Sequence, residues 1–173
     1  FRDKYEKTVK TYPYLNTQIK ISRIEVWVTN RSSQTQNVRN VIGFQDLGES
    51  NPEKTQLDKY YANFFLKPGI NTYPDNSVNK LDPDEIGNGL LNLSIREISK
   101  SKEGFGSISN LVNEGVDYSV LENARKLDIN EYSLHDKLGY ISLNQPLNND
   151  EILAVAFQYS VGGQVYQVGE FAN

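Results

Sequence analysis

The sequence contains no cysteine. That single absence removes disulfides, thiol catalysis and thiolate metal sites together. It has one histidine, His135, in Ser133-Leu134-His135-Asp136, so the nitrogen and sulfur ligands of a zinc site are not available. Positive charge is also scarce: 18 Lys and Arg against 22 Asp and Glu give a net charge of −4. The basic residues Lys4, Lys7, Lys10, Arg96, Lys100 and Lys102 alternate with Asp3, Glu6, Glu97 and Glu103, as on a solvated mixed-charge face. With no basic field to release counterions from phosphates, nucleic acid is not an expected partner. No apolar run approaches the roughly 20 residues of a membrane-spanning helix, and no signal-peptide core is present.

Catalytic motifs are missing as well. There is no nucleophile elbow, no phosphate loop, and Gly104-Phe105-Gly106 lacks the third glycine of a dinucleotide fingerprint. Asp82-x-Asp84 opens like a calcium loop but fails where Ile86 and Leu93 stand in for oxygen ligands. Asn148-Asn149-Asp150-Glu151 has the oxygens for a calcium site but also the composition of a hairpin turn. No local pattern selects a carboxylate pair for glycoside hydrolysis. The expectation is a non-enzymatic protein with no cofactor and no metal.

What is present is a β-rich pattern. Of 173 residues, 38% are apolar, and 11 Tyr and 7 Phe favour half-buried pleated surfaces. A chain of this size can bury roughly 70% of its unfolded surface. Residues 18–29 carry Ile19 and Ile21, then Ile24, Val26 and Val28, each set with period two. The parity flips at Ser22-Arg23, so a β-bulge there, or a strand break, is predicted. Trp27 then falls on the face opposite Val26, under a covering loop. Asn30-Arg31-Ser32-Ser33 is a turn, and residues 38–44 form a second strand that closes at residues 48–52. Residues 140–143 alternate, a turn follows at 145–150, and residues 152–161 form a long strand. That strand has Leu153, Val155, Phe157, Tyr159 and Val161 on one face and the small or polar Ala154, Ala156, Gln158 and Ser160 on the other. Gly162-Gly163 permits the positive φ of a two-residue hairpin, with residues 164–171 returning.

Two segments are not strands. Residues 1–14 fit a short helix before Pro13. Asp82-Pro83-Asp84-Glu85 has the cap, proline and acidic residue of a helix start, and Leu91, Ile95 and Ile98 extend a helix over 83–99. Residues 49–89 are irregular, with Pro52, Pro68, Pro74 and Pro83. Within them Tyr60, Tyr61, Phe64, Phe65 and Leu66 cluster, either as a packed element or as a ligand platform. The predicted fold class is α+β and β-rich: an antiparallel sheet or sandwich with one main helix and a long irregular middle segment, forming a single soluble domain over 1–173. The chain ends lead to the further expectation of a segment from a larger protein. Trp27, Tyr60, Tyr61 and Phe64 are the predicted partner surface.

Two stretches carry a family resemblance. The first is Leu121-Glu122-Asn123-Ala124-Arg125-Lys126-Leu127, then Leu138-Gly139-Tyr140-Ile141-Ser142-Leu143-Asn144, residues 147–157 and Tyr166-Gln167-Val168-Gly169-Glu170-Phe171. The second is residues 12–18 with Arg23-Ile24-Glu25-Val26-Trp27-Val28-Thr29-Asn30-Arg31. Both resemble the SprA/Sov family, the outer-membrane translocon of type IX secretion, while residues 49–110 contribute little. The resemblance implies a non-enzymatic role in protein export and gliding motility. It implies contact with the rest of a large translocon barrel, a PorV-type shuttle protein, a periplasmic plug protein and secreted cargo. The repeated lipid-facing alternation of a barrel wall is absent here, so the segment is expected outside the bilayer, with the extracellular cap favoured over the periplasm. A carbohydrate-binding β-sandwich, stacking sugars on Trp27, Tyr60, Tyr61 or Phe64, is the competing expectation, and a hydrolase assembled from distant loops is a third.

Overall fold

The computed structural model describes residues 2–10, 18–31, 35–48, 57–61, 64 and 73–172. Residues 11–17, the Ser32-Ser33 turn, Pro52, Phe65, Leu66 and Pro68 lie outside them. The predicted first helix is α1 (Arg2–Val9). Seven strands follow: β1 (Ile19–Val28), β2 (Val38–Phe44), β3 (Tyr118–Lys126), β4 (Tyr132–His135), β5 (Tyr140–Leu143), β6 (Leu153–Val161) and β7 (Gln164–Val168). Five of them make an antiparallel sheet in the order β2-β3-β1-β6-β7, and β4 and β5 make a separate hairpin. The β-rich α+β class is therefore the observed one.

The parity flip in β1 is a bulge. Ile21 pairs with Tyr159 and Arg23 with Gln158, leaving Ser22 as the extra residue, its hydroxyl donating to the Gln158 carbonyl at 3.2 Å. The extra residue returns Ile24, Val26 and Val28 to the face of Ile19 and Ile21. That face meets Leu153, Phe157, Tyr159 and Val161 of β6. The β4–β5 hairpin covers its outer half, with Tyr132, Leu134, Ile141 and Leu143 packed on Val26 and Val28. Fully burying a side chain such as Val26 stabilises by about 2 kcal/mol, so this face is a main source of fold energy.

The opposite face is built on small residues. Trp27 packs there with Leu121 and Ala124 of β3 and beside Val41, Ala154 and Ala172. Strands β2 and β6 are three places apart in the sheet, yet a methyl on Gly43 of β2 would lie only 3.6 Å from the Ala154 Cβ of β6. The sheet therefore curls until β2 lies over β6, and Trp27 fills the fold. At the far end, Gly162 (φ 57°) and Gly163 (φ 86°) make the predicted two-residue turn between β6 and β7. The returning strand stops at Val168, short of residue 171, because Gly169 turns the chain across the sheet.

The predicted helix over 83–99 is a series of separate 3₁₀ turns: Pro83–Glu85, Leu93–Arg96 and Ile98–Lys100, with Glu103–Ile108 after them. Its start is as expected, Asp82 accepting from the Asp84 N–H at 3.0 Å with Pro83 in the first position. Gly87 then adopts φ 94° and donates its N–H to the Leu91 carbonyl at 2.7 Å, reversing the chain. Asn92 caps a fresh turn by accepting from the Ser94 N–H, and extended Glu97 ends it. The apolar spacing was real but serves packing: Leu91 and Ile95 sit in a core with Phe105, Ile108 and Tyr118. Gly104 crosses the Ile95 backbone so closely that an added Cβ would fall 2.4 Å from its Cα.

Candidate interaction surface

Of the four predicted partner residues, the structure groups three. Tyr60 and Tyr61 are half-buried against the core that holds Phe64, and Phe64 itself is 2% exposed. Trp27 is 5% exposed in a different core. Trp27 and Phe64 thus present no stacking face to solvent. The Tyr60 ring is overlaid by the Lys59 ammonium at 4.6 Å.

Several charged groups of the sheet are engaged in building it. Glu25, with 3% of its side chain exposed, lies 2.6 Å from Lys126 Nζ and 3.5 Å from an Arg23 nitrogen. Its other oxygen accepts the Ala172 N–H at 2.9 Å. Burial pushes this carboxyl up, but the Lys126, Ala172 and Trp27 hydrogen bonds together hold it below the ordinary carboxylate value. The segment after β7 is strapped down by this carboxylate, by Arg23 stacked 4.0 Å over Phe171, and by a two-armed ion pair between Arg96 and Glu170 at 2.9 and 3.2 Å. His135 is the last residue of β4. It stacks on Tyr140 at 5.5 Å while its Nδ1 accepts the Leu138 N–H, so its ring serves the hairpin. In the oxygen-rich turn, Asp150 pairs with Arg31 and Glu151 accepts from the Asn148 N–H at 2.7 Å. Among the described residues, no cluster of three or more His, Asp or Glu could hold a metal ion.

One groove of about 650 Å³ opens between β2, the 3₁₀ turns and β6. Every residue from Arg39 to Gln45 lines it. Alternate residues of a strand point to opposite faces, so a groove touching all of them follows the strand's edge. Ala154 and Ala156 line it from β6, Ile95 from the 3₁₀ turns, and the Arg96–Glu170 pair stands beside them. Sequence reasoning missed this site because its walls, β2 and β6, are distant in the sequence and only the curl of the sheet brings them together.

A family model described as a motility related/secretion protein matches residues 2–164, nearly the whole chain. The chain belongs to this family. The match runs through residues 49–110, where the resemblance in the sequence words was thin, and ends before the Tyr166–Phe171 stretch. The family, which is the SprA family of the resemblance, places the chain in a protein of motility or secretion. No curated protein matches the chain. Among the described residues, no helix is long and apolar enough to cross a membrane.

Proposed function

We propose that the chain is a non-catalytic structural and interaction module of the outer-membrane translocon of type IX secretion, serving protein export and gliding motility. Membership of the motility and secretion family carries this reading. The use of the charged groups supports it: Glu25 with Lys126, Arg96 with Glu170 and Arg125 with Glu131 are spent on pairs that hold the fold in shape. The parent protein resides in the cell outer membrane, and this module sits outside the bilayer, on the extracellular cap side. Its partners are the rest of the barrel, a PorV-type shuttle protein, the plug protein and passing cargo. The test is in the parent protein: residues 18–172 are replaced by a short Gly-Ser linker, and surface export of cargo and gliding are measured. Export and gliding should both fail while the barrel still reaches the outer membrane. Undiminished export would overturn the reading.

A further inference from the structure

The two outer edges of the five-stranded sheet are treated differently. At the C-terminal end of β7 outward backbone groups are already taken by side chains. The Gln167 N–H donates to Asp75 Oδ2 at 3.3 Å, the Gly169 N–H to Asn76 Oδ1 at 2.8 Å, and Asn76 Nδ2 to the Gly169 carbonyl at 3.0 Å. Such capping is how a sheet edge is closed to further strands.

Along β2 the opposite holds. The Gln45 N–H donates to the Asp117 carbonyl and the Lys126 N–H to the Asn37 carbonyl. These bonds set the phase of the β2–β3 ladder, making Phe44–Tyr118 and Ile42–Val120 the pairs without mutual hydrogen bonds. The N–H and C=O groups of Ile42 and Phe44 therefore point away from β3. Among the described residues, neither N–H has a partner. They face the groove that follows this edge, whose wall across from β2 is the small, apolar Ala154 and Ala156. Arg39, exposed at one end of the groove, has no acidic partner among the described residues, whereas Arg96 is neutralised by Glu170.

We infer that the β2 edge is a docking site for an extended peptide segment, which adds to the sheet as a sixth strand beside Ile42 and Phe44. Main-chain hydrogen bonds to those two residues supply the binding, as in other strand additions. The Ala154–Ala156 wall selects apolar side chains at alternate positions, and Arg39 selects an acidic residue at one end. The volume of about 650 Å³ is within the range of peptide-sized sites.

The test uses the whole chain and the probe acetyl-Glu-Val-Thr-Val-Thr-Val-Thr-amide. Binding is read by NMR titration and by amide exchange at Ile42 and Phe44. Both amides should exchange fast in the free chain and slow on peptide addition. The same peptide N-methylated throughout should not bind. Arg39→Glu, a surface change that leaves the core alone, should weaken the probe about fivefold and favour the version beginning with Lys by a similar factor. Three outcomes would overturn the inference: Ile42 and Phe44 amides already protected in the free monomer, equal binding of the N-methylated peptide, or protection arising only from self-association of the chain. The docking edge and the translocon role fail separately, because the first is read on the isolated chain and the second on export in the cell.

Discussion

Glu25 and Lys126 meet at 2.6 Å across the short pairing of β1 with β3, where only Trp27–Lys126 and Val28–Arg125 are in register. This ion pair closes the end at which the two halves of the sheet diverge, and it does so over a carboxylate almost wholly removed from water.

Removing the lysine should cost more than removing the acid. Lys126→Ala leaves a buried carboxylate with Arg23 only at 3.5 Å and should destabilise by about 3 kcal/mol; Glu25→Gln keeps an acceptor for Ala172 and should cost about 2 kcal/mol. Urea unfolding of the three proteins at pH 7 measures this. Because the Glu25 pKa is lowered in the fold from its ordinary 4.5, its contribution is present above that value. It fades as pH falls through the lower folded value. The stability gap between wild type and Glu25→Gln should therefore be widest near neutrality and narrow below about pH 4.5. A gap independent of pH would show that the pair contributes no charge-dependent stability.

Gly104 should tolerate no side chain. An added Cβ falls 2.4–2.6 Å from the Cα, N and Cβ of Ile95, and two of those atoms are backbone that cannot rotate aside. Gly104→Ala is expected to lose about 3 kcal/mol by overpacking, seen as a lower urea midpoint. Gly163, in the open hairpin turn with nothing within 4 Å of an added Cβ, gives the contrast. There Gly163→Asn should cost only about 1 kcal/mol, the strain of a positive φ that asparagine tolerates better than most residues.

Tyr159 is fully buried between β1 and β7, and its hydroxyl donates to the Pro74 carbonyl at 2.6 Å. Tyr159→Phe leaves that carbonyl unpaired and should cost about 1.5 kcal/mol at pH 7. Burial, with Asp75 nearby, raises the phenol well above its ordinary pKa of 10.0. The folded chain then holds this proton where the unfolded chain releases it, so its stabilisation is present below about pH 10 and is lost as pH climbs further. Thermal melts from pH 8 to 11 should show wild type falling faster than Tyr159→Phe.

Much of β1, β2, β6 and the last hairpin was legible because side-chain parity is written directly into sequence. The Ser22 bulge could be located from the flip between Ile21 and Ile24 alone, and the Asp82 cap from four consecutive residues. Strand β3 was not legible as a strand: Asn123, at φ 49°, takes up a bulge with its N–H on the Asn40 side chain, which breaks the alternation. The 83–99 apolar spacing misled for a similar reason, since Gly87 and Asn92 restart the backbone between residues that still share one core.

By itself, then, the sequence determined the β-rich class, the facing of the long strands and the family resemblance, since these rest on neighbours within a few residues. Only the tertiary structure decided that Trp27 is buried, that Glu25 meets Lys126 across 101 positions, and that β2 keeps an edge unpaired among the described residues while the end of β7 is capped by Asp75 and Asn76. Those outcomes depend on how far the sheet curls and which distant side chains reach its margins, and no local pattern encodes the distance between strands that are far apart along the chain.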